Sequence, residues 1–112
     1  MAKPKFYSYK GTVFKITKSP ESDKDFRATF PSGKKVDFGA KGYPEFPATD
    51  KGDRYCARSY GLGKKNDTLG NIKNANTLSR LYGWHCKGKE SLPTKKQAGL
   101  KLARKEEYFN RL

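Results

Sequence analysis

Phe26-Arg27-Ala28-Thr29-Phe30-Pro31-Ser32-Gly33-Lys34-Lys35-Val36-Asp37-Phe38 is the stretch on which the fold turns. Phe26, Ala28 and Phe30 alternate with Arg27 and Thr29, the period of a half-buried strand, and Val36 and Phe38 alternate with Lys35 and Asp37 in the same way. Between the two runs, Pro31 presets its φ, Ser32 is small and polar, and Gly33 tolerates a positive φ, so the pair predicts a tight hairpin. Toward the N-terminus, Ser19 to Lys24 is a polar turn cluster, and Thr12 to Thr17 is a further strand with Phe14 and Ile16 on one face and Lys15 opposite. These three strands make an antiparallel meander. Lys5 to Tyr9, with Phe6, Tyr7 and Tyr9, reads either as an added edge strand or as a basic arm.

Past Phe38 the character changes. Gly39, Gly42, Pro44 and Pro47 interrupt regular structure and mark residues 41–49 as a linker. Asp50 is placed to cap a short helix through Arg54, Tyr55 and Arg58, ended by Gly61 and Gly63, with Lys64 to Asn71 as a mobile basic loop. Asn74 or Asn76 begins a second helix, in which Leu78, Leu81 and Tyr82 share a face and Gly83 lies near the end. A last helix is expected from Ser91 or Thr94, with Pro93 in its first turn, apolar contact from Leu102, Tyr108 and Phe109, and Lys95, Lys96, Lys101, Arg104, Lys105 and Arg111 on its remaining surface. The expected fold is a small α+β domain: an antiparallel β-meander followed by two or three helices. It is one domain over residues 1–112, strand-rich over 1–40 and helical and basic over 50–112.

The chain has 112 residues, too few for a two-lobed enzyme with a cleft between domains. Its net charge is +14, and its hydrophobic fraction of 34% leaves a lean core, yet seven Tyr, seven Phe and one Trp argue for a folded domain rather than a basic tail. Ten basic residues against six acidic up to Asp50, and fifteen against five from Lys51 onward, leave +4 and +10, so the excess is concentrated in the helical part. Solubility alone is served at least as well by acids, which makes a polyanion the natural partner. No run approaches the roughly 18 apolar residues of a membrane span, and Met1 to Lys10 has charge and aromatics where a signal peptide is apolar, so the expectation is an intracellular protein with no membrane stage.

Cys56 and Cys86 suffice for one disulfide at most, and with no other mark of secretion they read as two unpaired thiols in a reducing compartment. His85 beside Cys86 does not make a metal site, since adjacent residues rarely converge on one ion and four zinc ligands would need Cys56 and a carboxylate as well. The acids Asp50, Asp53, Glu90, Glu106 and Glu107 sit beside basic residues in cap or i, i+4 positions that account for them. Gly61-Leu62-Gly63-Lys64-Lys65 lacks the spacing and the Ser or Thr of a phosphate loop. No enzyme, metal or cofactor is therefore expected.

Phosphate contact is the expected chemistry. Lys34, Lys35 and Lys41 near the hairpin, and Arg54, Arg58, Arg80, Lys87 and Lys89 from the helical part, are the candidate contacts, strengthened by Lys64 and Lys65. Arg54 and Arg58, one helical turn apart, form a ready clamp. Tyr43, Tyr60 and Trp84 lie next to Lys or Gly and are candidates for stacking on bases, whereas Phe14, Phe26, Phe30, Phe38 and Tyr82 read as core. Zinc-finger spacing, zipper heptads and RNP-type aromatic strands are missing, and the roughly thirteen-residue connection around Gly61 to Gly70 is too long for a helix-turn-helix, so base-specific reading is not expected. DNA is favoured over RNA. The competing reading is a virion structural or protein-interaction module that forms a homodimer and docks on an acidic partner.

Thr29 to Gly39, Lys41-Gly42-Tyr43, Phe46, Arg54 to Arg58 and Thr77 to Trp84 together resemble a family of small basic proteins encoded by large nucleocytoplasmic DNA viruses, including those infecting amoebae. The similarity runs from about Phe26 to Lys89. It departs from the family pattern where Ser59 rather than His follows Arg58, and where Leu78 and Leu81 take apolar positions. The resemblance carries over no catalytic residue. It implies a viral protein of the infected host cytoplasm, at the viral factory, or of the virion, where a long DNA genome needs charge neutralisation.

Overall fold

A computed structural model describes residues 4–42 and 44–112. The four N-terminal strands, β1 (Lys5–Tyr9), β2 (Thr12–Lys18), β3 (Lys24–Thr29) and β4 (Lys35–Ala40), form the antiparallel meander read from the alternation. Phe26 faces Phe38 and Ala28 faces Val36 across the β3–β4 pair, and Gly33, at φ +94°, donates to Phe30 O at 2.8 Å to close its turn. Lys10 and Gly11 both have positive φ, the type I′ geometry that joins β1 to β2 without splaying them. A two-residue strand, β7 (Lys101–Leu102), pairs with Tyr7 and Ser8, so β1 is an inner strand and neither a free edge nor an arm. The sheet order is β4-β3-β2-β1-β7, and a separate hairpin joins β5 (Cys86–Lys87) to β6 (Glu90–Ser91).

One face of the sheet carries the core. Tyr7, Phe14, Ile16, Ala28, Phe30 and Phe38 pack there against Ile72, Leu78, Leu81 and Leu100. Tyr82 closes the layer, presenting an edge-on geometry to Tyr7, Phe26 and Phe38 with ring centroids 4.9 to 5.7 Å apart. Burial there, with Tyr7 beside it, pushes the Tyr82 hydroxyl up to about 12. Val13, on the other side of β2, is buried too, because α3 (Lys105–Phe109) packs on β1 and β2 and sets Tyr108 5.4 Å from Phe6.

Helix α1 (Asp50–Asn66) is longer than expected, and its cap is Thr49, whose side chain accepts from Gly52 N, with Asp50 in the first turn. Gly61 and Gly63 do not end it. The helix closes two residues past Lys65, at Asp67, which takes the left-handed conformation and returns its N–H to Gly63 O and Lys64 O. Lys64 and Lys65 therefore belong to the last turn of a helix and not to a mobile loop. Gly52 and Gly63 serve close approach: a Cβ on Gly52 would lie 2.6 Å from Phe46 O, and one on Gly63 would lie 2.5 Å from Leu69 Cδ2. Gly61 has open space around it. We expect Gly61→Ala to stabilise the fold by about 0.5–1 kcal/mol through helix propensity, and Gly52→Ala to destabilise it by about 1–3 kcal/mol through overpacking against backbone. Urea midpoints of the two variants test this; shifts of the same sign would contradict it.

Asn74 caps α2 (Ala75–Leu78) as expected, accepting from Asn76 N and Thr77 N, and the helix continues as a π-helical turn over Ser79–Gly83. The long C-terminal helix does not form. Ser91 lies in β6, where its hydroxyl donates to Trp84 O and accepts from Ala48 N. Thr94 starts a turn only, because Gly99, at φ +104°, redirects the chain so that Leu100 enters the core. Leu102 is 79% exposed and lies outside the core.

The cysteines are not two free thiols. Cys56, on the buried face of α1, and Cys86, in β5, form a disulfide with their Cα atoms 5.5 Å apart. Folding brings them together across 30 residues of chain.

Candidate nucleic-acid interface

Helix α1 turns Gly52, Cys56, Ser59 and Gly63 inward. At 100° per residue, Lys51, Arg54, Arg58 and Lys65 then fall on one outward stripe about 21 Å long, and all four are exposed. Ala57 and Gly61, exposed beside them, keep that surface low, so a phosphate backbone can approach the helix closely.

Among the described residues no acid forms an ion pair with the stripe, and Asp50 lies one turn before Arg54 on the same helix. Among the described residues the one ion pair is Arg27–Asp37, a 2.9 Å contact between β3 and β4. The Arg27 guanidinium and then the Ser19 hydroxyl hold the Asp37 carboxyl below its ordinary range. Asp53 accepts from Ser91 N at 2.8 Å, and Glu107 accepts from Arg104 N, so these carboxylates serve local structure.

The β5–β6 hairpin is fastened to α1 by the disulfide and by the Asp53–Ser91 bond, and it carries the exposed Lys87 and Lys89. Arg80 corrects the sequence reading. It is 6% exposed, and its guanidinium donates to Cys56 O, Ser59 Oγ and Gly88 O at 2.7 to 2.8 Å, which makes it a buried tie between helix and hairpin and not a phosphate contact. Desolvation lowers its pKa, but a guanidinium starts so high that it stays charged.

Of the aromatic candidates, Trp84 stacks on Tyr55 with centroids 4.4 Å apart and planes 16° from parallel. Tyr60 lies under the cations of Arg80 and Lys89, at 5.8 and 5.7 Å from its centroid. Both rings thus have partners within the chain, and Tyr43 lies outside the described residues. The Tyr55–Trp84 stack forms part of an open cleft of about 480 Å³ between α1 and the β3–β4 edge, into which Lys24, Lys51 and Arg58 also open. Glu45 is the acid in that lining; burial, and then the nearby Asp25, push its carboxyl up, while burial also raises the Tyr55 hydroxyl.

The structure therefore brings together Arg54, Arg58 and Lys65 of the expected set, adds Lys51 and Lys24, and places Lys64 on the same helix. Lys41 follows Ala40, a residue of the cleft wall. Lys34 and Lys35 stand apart at the tip of the β3–β4 hairpin, the opposite end of the pair from Lys24 and Ala40. Lys51 lies in the part read as helical and basic but is not among the expected contacts; its spacing of three and seven from Arg54 and Arg58 is the signal that finds it. Among the described residues no three His, Cys, Asp or Glu side chains gather around a common point, and no helix is long and apolar enough to cross a membrane.

Residues 14–62 match the model of a protein family described as a family of unknown function (DUF5754). That span runs from β2 through the meander and into α1, so it includes Lys51, Arg54 and Arg58 and leaves out the β5–β6 hairpin. No curated protein and no solved structure matches the chain.

Proposed function

We propose that this domain binds nucleic acid through backbone phosphates with little sequence preference, using the outward stripe of α1. The observation that carries the reading is the row of exposed cations Lys51, Arg54, Arg58 and Lys65, none of them in an ion pair. Each cation that reaches a phosphate releases condensed counterion, and several acting along one helix make binding steeply salt-dependent. Lys24 and Lys41 add charge on the cleft side, while Lys87 and Lys89 stand on the β5–β6 hairpin, which meets α1 at Asp53, Cys56 and Tyr60, across the helix from the stripe. DNA is the partner we favour, in the setting the viral resemblance implies, where a long genome needs neutralising.

Fluorescence anisotropy with a labelled duplex of about 30 base pairs, at several salt concentrations, tests this. The double variant Arg54→Ala/Arg58→Ala should bind unrelated sequences equally more weakly and reduce the log–log salt slope by about 2. An unchanged slope would remove the stripe as the contact surface. No duplex binding at moderate salt would overturn the reading and point to an acidic protein as partner.

A further inference from the structure

A second basic surface lies at the other edge of the sheet. An open groove of about 1020 Å³ runs between β1, β7 and the segment from His85 to Lys96. Lys5, Lys95, Lys96 and Lys101 line it, Phe6 and Leu102 supply its apolar wall, and no carboxylate is part of the lining. It shares no residue with the cleft beside α1, which lies against β3 and β4. β4 and β7 are the two edges of the five-stranded sheet, and the two linings meet at the consecutive residues Trp84 and His85.

The floor of the groove is built, not incidental. His85 has a left-handed backbone, φ +52°, held by a 2.8 Å bond from Leu92 N to His85 O. Its Nδ1 lies 3.2 Å from Leu92 O, which can only accept, so Nδ1 carries the proton and the Nε2 lone pair faces Lys95 Nζ at 3.5 Å. Lys95 in turn stands 4.7 Å above the Tyr82 ring. Burial and then Lys95 lower the His85 pKa, while burial and then Lys5 lower that of Lys95, against a weaker opposing pull from Glu45. The remaining charges around this pair are Lys96 of the same turn and Lys101 of β7, with the Tyr7 hydroxyl on β1. Positive groups thus crowd one another here, with Glu45 the acid that acts on Lys95 from outside the lining.

We propose that this groove receives the phosphate backbone of a second nucleic-acid segment, so that one domain bridges two duplexes. The proposal rests on the nucleic-acid reading of α1. Charge complementarity selects the occupant: a row of lysines with no acid in the lining suits a repeating phosphate, and the exposed Leu102 can lie against sugars beside the half-buried Phe6. A phosphate beside His85 favours the protonated ring, so binding in the groove takes up a proton and strengthens as pH falls below the ordinary histidine value of about 6.5.

Donor- and acceptor-labelled duplexes, mixed with the full chain, report bridging as energy transfer. The wild type should bring the two together, more strongly at the lower pH. Lys96→Ala/Lys101→Ala, two exposed side chains outside the core, should keep affinity for a single duplex within about threefold and lose most of the transfer; a thermal melt confirms that the variant is folded. Single-duplex binding by the wild type without transfer overturns the proposal and leaves the α1 reading standing. Transfer that survives in the lysine variant also overturns it, since a dimer would then carry the bridge. Loss of single-duplex binding in that variant overturns it as well, by making the groove the primary site. A wild type that binds no duplex removes both readings.

Discussion

Reducing the Cys56–Cys86 bond lowers the folding free energy by about 3–4 kcal/mol, the loop-closure cost of about 30 residues in the chain-entropy description of a disulfide. A domain of this size has about 5–15 kcal/mol of stability in total, so the loss is a large fraction. The bond matters here because the core is lean and lies on the sheet side, while the β5–β6 hairpin reaches α1 outside that cluster. Urea unfolding with and without a thiol reductant measures the effect, and an unshifted midpoint would contradict it. The double variant Cys56→Ser/Cys86→Ser should lose somewhat more than reduction does, because it leaves two hydroxyls where the sulfurs are fully buried. In folded, reduced protein the stripe on α1 survives, since Thr49 still caps the helix and Asp67 still closes it. Lys87 and Lys89 lose part of their anchor, so duplex binding should weaken far less than stability.

Arg80→Ala should cost about 2–4 kcal/mol, again out of proportion to one surface-type residue. The guanidinium holds two carbonyls and a hydroxyl on two different elements and lies against the Tyr60 ring. Truncation leaves Gly88 O without this donor and opens a void under the hairpin. Relief of the buried charge offsets part of that loss, which is why the expected cost stays below the sum of three charged hydrogen bonds. Arg80→Lys does not rescue it, because an ammonium cannot span Cys56 O and Gly88 O as the planar fork does. Arg80 and the disulfide join the same two elements, so their effects should be non-additive: in reduced protein Arg80→Ala costs less, by about 0.5–2 kcal/mol. A double-mutant cycle by chemical denaturation checks this, and strict additivity would contradict it. The same variant separates structure from binding. Folded Arg80→Ala protein should keep the wild-type salt slope for duplex binding, whereas Arg54→Ala/Arg58→Ala changes the slope and leaves stability nearly untouched.

The meander was legible in the chain because its information is local. Alternation from Phe26 to Phe38, with Pro31 and Gly33 between, decides which residues share a face and where the strand turns, and register follows from that turn. The same holds for Asn74, whose capping oxygen acts two and three residues ahead, and for the Arg54–Arg58 pair, whose shared face is a matter of helical period. The net charge and its concentration after Asp50 also belong to composition alone.

Other features were settled only by elements distant in sequence. Gly63 reads as a helix end until Leu69 is brought against it, and Gly52 meets Phe46 and Ser91 in the same way, so that the missing Cβ becomes the reason the helix can lie there. Arg80 looks like any basic surface residue, and only the approach of α1 to the β5–β6 hairpin supplies the carbonyls that hold it inside. The C-terminal stretch has helical composition throughout, yet burial of Leu100 and pairing of Leu102 with Tyr7 outweigh propensity worth a few tenths of a kcal/mol per residue. Cysteine pairing and the lysine groove around His85 likewise depend on chain crossings that no spacing records. Short-range periodicity and turn chemistry lie in the sequence itself; which charge is buried, which is free and which glycine is a contact are decided by packing, because packing alone determines how much water each group keeps.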